Sequence, residues 1–65
     1  MKIIVNGKVR DIEAGTLAAA LNALNYDGAV VATAVNGDFV SARARGATKL
    51  SDGDRIEILA PRQGG

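Results

Sequence analysis

A chain of 65 residues makes one domain with a thin core. It carries no cysteine and no histidine, which excludes a disulfide framework, a zinc–thiolate site and the commonest general base. Eight basic residues against seven acidic ones give a net charge of +1, which argues against nucleic acid or a membrane surface as a partner, and no apolar run approaches the ~20 residues that cross a bilayer.

The first residues open directly in a strand pattern with no signal-peptide layout, so a cytoplasmic protein is the expectation. Met1 to Val5 is rich in β-branched residues. Asn6-Gly7 is a strong hairpin signal, because a type I′ turn needs positive φ at both central positions. Lys8 to Glu13 alternates apolar and charged residues, so residues 2–13 read as a β-hairpin with one wet face. Thr16 is a suitable helix N-cap, and Leu17, Ala20, Leu21 and Leu24 recur at the spacing of one apolar helix face. Asn25 to Gly28 ends that helix, with Gly28 assigned the left-handed position. Ala29 to Val35 is apolar at almost every position, the pattern of a strand covered on both faces or central in its sheet. Asn36-Gly37 is a second type I′ signal, and Asp38-Phe39-Val40 is the short return strand. Residues 41–48 read as a turn-rich loop bent at Gly46, and Ser51 to Asp54 as another turn. Arg55 to Leu59 is the last strand. Ile56 and Ile58 share one face, and Leu59 falls with Arg55 and Glu57 on the polar one.

One helix on one face of a small mixed sheet is an α+β solution. With the first and last strands parallel at the centre, the arrangement is the β-grasp fold of ubiquitin-like proteins. The division expected is a β-grasp domain over residues 1–60 and a flexible C-terminal tail over 61–65.

Side-chain chemistry is scarce. Thr16 and Ser41 have no activating partner in sight and read as cap and loop residues. Asp52 and Asp54 flank Gly53 but lack the further oxygen ligands of a calcium loop, so no metal site is expected. The glycines before the tail sit singly at turns and form no phosphate cradle. No exposed aromatic is anticipated, which with the charge balance argues against RNA.

The distinctive reactive group is then the α-carboxylate of Gly65. Glycine lacks a Cβ, so Gly64-Gly65 can enter a narrow channel, and five residues beyond Ala60 span roughly 16–18 Å when extended. A carboxylate is inert until activated. An ATP-using partner would join it to AMP, and a sulfur donor displacing AMP would leave a thiocarboxylate. Pro61 stops the strand by removing a ladder donor. Arg62 is either a solvated charge or one side of an ion pair with a partner's acidic rim. Leu59, with Ile4 as its companion, is a candidate apolar docking patch.

The chain resembles the sulfur carrier proteins of thiamine biosynthesis, the ThiS family, over nearly its whole length. The resemblance lies in Asn6-Gly7, Ala34-Val35-Asn36-Gly37 with Phe39-Val40, Leu50 with Asp52-Gly53-Asp54, Ile56-Glu57-Ile58, and above all Ala60-Pro61 with Gln63-Gly64-Gly65. It implies a carrier rather than an enzyme. Gly65 would be adenylated by a ubiquitin-activating-like enzyme, loaded by a sulfur-donor enzyme, and used by thiazole synthase. Gly64 and Gln63 would give the tail access. No cofactor would be bound by the carrier itself, since ATP is used by the activating partner. Arg62 stands where such tails often carry an apolar residue, and residues 41–48 depart from the family's more polar loop. The same fold and ending also suit the small sulfur-carrying subunit of molybdopterin synthase, a ubiquitin-like modifier, or a regulatory module with an incidental tail.

Overall fold

The computed structural model describes residues 1–60. The expected hairpin forms from β1 (Lys2–Val5) and β2 (Lys8–Asp11), paired antiparallel with Val5 opposite Lys8. Asn6 and Gly7 take φ of 50° and 84°, the two positive values that a two-residue turn of this hand demands. A second hairpin repeats the device. In it β3 (Ala32–Val35) and β4 (Asp38–Val40) flank Asn36 and Gly37, at φ of 50° and 87°.

The helix α1 spans Leu17–Ala23. Thr16 caps it through its hydroxyl oxygen, which accepts from the Ala19 N–H at 3.2 Å. The helix closes at Leu24, so Asn25 to Gly28 end it as expected, and Gly28 has the left-handed backbone assigned to it, with φ 78°. Asn25, at φ 67°, is a second left-handed residue, directly behind the helix. The Tyr26 N–H then bonds the Leu21 carbonyl at 2.8 Å and the Asn25 N–H bonds that of Asn22 at 3.1 Å, a Schellman closure. Asparagine serves because its short polar side chain tolerates this backbone region.

The last strand, β5 (Arg55–Leu59), completes a five-stranded sheet in the order β2-β1-β5-β3-β4. It runs parallel to β1 at the centre and antiparallel to β3, as the β-grasp expectation requires. Helix α1 covers one face. Beneath it lies the core of Ile3, Val5, Leu17, Ala20, Leu21, Leu24, Leu50, Ile56 and Ile58.

Two expectations are corrected. The apolar run from Ala29 enters the sheet only at Ala32; there it is an inner strand between β5 and β4, one of the two settings expected, but it is not covered on both faces: Ala32 and Val30 are exposed, and Thr33 alone in β3 is buried. Residues 42–47 form a 3₁₀ helix rather than a turn-rich loop. Gly46 lies outside the left-handed region there, with open space where a Cβ would be, so it is not a bend that glycine alone can make. The helix is tied inward by Arg45. Its Nε donates to Thr33 Oγ1 at 3.0 Å and its Nη2 to the Val31 carbonyl at 2.7 Å. The Thr33 hydroxyl in turn donates to the Val40 carbonyl at 2.8 Å. A buried hydroxyl therefore both donates and accepts, which is what makes it tolerable in the core.

Candidate functional site

Residues opposite one another in a sheet project to the same side, so the register defines the face left open by α1. Val9, Ile4 and Arg55 align across β2, β1 and β5. Phe39, Ala34 and Glu57 align across β4, β3 and β5, and Ala32 faces Leu59. The alternation read from Arg55 to Leu59 is thus the observed one, with Ile56 and Ile58 in the core and the other three residues outside.

This open face carries large apolar side chains. Leu59 is 71% exposed and Phe39 74% exposed. Val30, 79% exposed, stands just before β3, and with Val31, Ala32, Leu59 and Ala60 it lines an open, mostly apolar depression of about 340 Å³. The depression sits where the chain leaves the sheet.

Of the two apolar residues expected to dock a partner, Leu59 belongs to this depression. Ile4 lies on the same face but is not Leu59's neighbour. It is half-buried opposite Arg55, four residues from Leu59 along β5, or roughly 13 Å at the rise of a strand. Arg55 and Glu57 separate the two. The companions of Leu59 are instead Val30, Val31 and Ala32, none of which had been singled out. Phe39 was missed as well, and its exposure overturns the expectation that no aromatic is exposed. The two-residue Asn36-Gly37 turn sets Phe39 opposite Ala34, but only the pairing of β3 with β5 puts it on the face of Glu57.

The strand that bears the tail is held along both edges. At its start, the Arg55 N–H donates to Asn36 Oδ1 at 3.0 Å, and Asn36 Nδ2 donates to Asp54 Oδ1 at 3.1 Å. Towards its end, the Ile58 N–H donates to Asn6 Oδ1 at 2.8 Å, and Asn6 Nδ2 donates to the Ile58 carbonyl at 3.0 Å. The acidic turn before it is likewise occupied by backbone. Asp52 Oδ1 accepts from the Lys2 N–H at 2.6 Å, and Asp54 Oδ2 accepts from the Ser51 N–H at 2.8 Å. These carboxylates build the turn expected over Ser51 to Asp54. No cluster of metal-ligating side chains occurs among the described residues. No helix among them is long and apolar enough to cross a membrane.

Pro61, Arg62, Gln63, Gly64 and Gly65 lie outside the described residues. The expected reactive carboxylate of Gly65, the access residues Gly64 and Gln63, the docking charge of Arg62 and the tail boundary at residue 61 all fall there.

Comparison with known proteins follows the fold. A family model described as the ThiS family matches residues 3–65. The crystal structure of a thiamine biosynthesis protein (ThiS) from Geobacter metallireducens is similar over 100% of both chains, with 33% sequence identity and a TM-score of 0.81. An NMR solution structure of a thiamine biosynthesis protein from the same organism matches 100% of this chain and 88% of that one, at 30% identity and a TM-score of 0.80. No curated protein matches the chain.

Proposed function

Because this chain belongs to the ThiS family, we propose that it is a sulfur carrier of thiamine biosynthesis and that it works through the carboxylate of Gly65. The single observation that carries the reading is the family match over residues 3–65, which takes in the Gly64-Gly65 ending. The described side chains add the complementary point. Among them the carboxylates of Asp52 and Asp54 are committed to turns, and neither cysteine nor histidine exists to act as nucleophile or base.

The chemistry divides into two displacements. In the active site of a ubiquitin-activating-like enzyme, an oxygen of the Gly65 carboxylate attacks the α-phosphorus of ATP. Pyrophosphate leaves, and the product is an acyl adenylate. A hydrosulfide-level nucleophile from a sulfur-donor enzyme then attacks the acyl carbon. AMP departs with the bridging oxygen, the sulfur gives up its proton, and a thiocarboxylate remains. Thiazole synthase consumes that sulfur. The carrier contributes a handle and an unhindered carbonyl, since neither terminal residue has a side chain to block attack. ATP is used by the partner, and no cofactor of the carrier is required.

The open face gives the partner something to hold. Leu59 and Val30 offer exposed apolar area beside Ala60, and Phe39 adds more on the same face level with Glu57, so a partner docked there has the tail entering its site from the edge of the contact. Ile4 lies at the other end of the same face, and Arg62 supplies a charge for steering. The thiamine relatives favour this reading over a molybdopterin synthase subunit or a protein modifier.

The test is intact-protein mass spectrometry after incubation with a ThiS-family activating enzyme, ATP and a sulfide source. Replacement of one oxygen by sulfur at the C-terminus is expected. Deleting Gly65 should abolish that product while leaving the thermal midpoint in place. An unchanged mass, with an enzyme shown to load another carrier, would refute the assignment.

A further inference from the structure

We propose that Asn6 is a positioning residue for the tail: its side-chain amide holds the far end of β5, so that the chain leaves the sheet at Ala60 from a set point and in a set direction. The inference begins from a mismatch between two strands. β1 ends at Val5, and its chain turns away through Asn6 and Gly7, whereas β5 continues to Leu59. The parallel backbone pairing between them gets as far as the Asn6 N–H, which donates to the Ile56 carbonyl at 2.9 Å. Ile58 is the next residue of β5 to face that edge, and β1 has no backbone left to offer it.

The Asn6 side chain takes the vacant place. Its Oδ1 accepts from the Ile58 N–H at 2.8 Å and its Nδ2 donates to the Ile58 carbonyl at 3.0 Å, both in part-buried surroundings. A carboxamide has the same donor and acceptor as a peptide unit, so one planar group stands in for the missing strand. Past Ile58, Leu59 is paired with Ala32 of β3 on the other edge. Asn6 is thus the last hold on β5 from the β1 side, two residues before the tail root.

The other turn supplies an internal control. Asn36 has the same φ of 50° and grips the same strand through the same kind of atom, but at Arg55, the end away from the tail. If the asparagines served only turn formation and stability, the two would be equivalent. Positioning makes them different.

The role rests on the carrier reading above. A tethered carboxylate reacts at a rate set by its effective concentration in the partner's site, and a fixed root raises that concentration without adding a contact. Losing the grip leaves the open face, and hence docking, intact. The loss therefore falls on kcat rather than on KM.

The experiment uses the full chain with Asn6→Gly and Asn36→Gly, since glycine keeps the positive φ of each turn and removes only the amide. Amide hydrogen exchange without any partner comes first. The Ile58 N–H is expected to exchange at least ~10-fold faster in Asn6→Gly and to be unchanged in Asn36→Gly. ATP–pyrophosphate exchange with a ThiS-family activating enzyme comes second. In Asn6→Gly, kcat falls roughly five- to tenfold with KM within about twofold of wild type, while both constants hold within about twofold in Asn36→Gly. Should Asn6→Gly unfold, Asn6→Asp serves for the kinetic readout: it keeps the turn and the acceptor of the Ile58 N–H, so Ile58 exchange stays slow, but it loses the donor and sets a carboxylate against the Ile58 carbonyl, and kcat is expected to fall with KM held. Equal kcat losses in the two variants, a loss confined to KM, or an unchanged kcat despite faster Ile58 exchange would overturn the positioning role. A wild-type chain that supports no exchange overturns the carrier reading and the delivery role with it, and protection of Ile58 still decides whether the grip exists.

Discussion

The two faces of the sheet are cut from the same strands and differ only in residue parity, yet they do opposite work. On β5, Ile56 and Ile58 go under α1 while Arg55, Glu57 and Leu59 stay outside. The covered face admits one buried polar side chain, Thr33, and satisfies it completely through Val40 and Arg45. The open face mixes charge with exposed Leu59 and Phe39. A single seven-residue helix can shield only one side of a five-stranded sheet, so the other side is available for contact without cost to the fold. On the carrier reading, folding and recognition are separated by the strand's period of two.

That separation can be broken from either side. The largest effect belongs to Ile56→Ala, which opens a cavity beneath α1 and should cost about 2–5 kcal/mol in a denaturant titration. In a domain this small such a loss brings the folded state close to its limit. An Ile56→Ala chain as stable as wild type would mean that the covered face is not the core. Arg45→Met comes next. It strips a donor from the Thr33 hydroxyl and another from the Val31 carbonyl, for an expected loss of about 1–3 kcal/mol by thermal unfolding. Smallest in stability is the pair Phe39→Ser and Leu59→Ser, each expected within about 0.5 kcal/mol of wild type because both side chains are already solvated. On the carrier reading these two raise KM for the activating enzyme while leaving kcat in place, the reverse of the pattern expected for Asn6→Gly. A large stability loss from either serine would show that the open face is structural after all.

Much of the architecture was legible because it is written in local rules. Both Asn-Gly turns, the Thr16 cap, the stripe from Leu17 to Leu24 and the alternation along β5 each follow from neighbouring residues alone, and each appears as read. The departures share a cause. The 3₁₀ helix over Ala42–Ala47 is anchored by Arg45 to residues 12 and 14 positions earlier, which no window along the chain connects. The late entry of the apolar run into β3 at Ala32 reflects the reach of its partner, since Leu59, opposite Ala32, ends β5.

The candidate site divides in the same way. The grouping of Leu59 with Ile4 failed because distance along a sheet depends on which strands pair and where, and the register puts Arg55 and Glu57 between them. Phe39 and Val30 emerged as exposed only once β4 and the approach to β3 had been given a side.

The sequence by itself determined the two hairpin turns, the helix with its apolar stripe, the alternation of the last strand and the family, because turn chemistry, periodicity and the order of short motifs are properties of adjacent residues. Only the tertiary structure decided which residues share the open face, how Thr33 is reconciled with the core, and that Asn6 reaches across to Ile58. Those facts depend on contacts between segments as far as 52 positions apart, and a register between strands has no local signature.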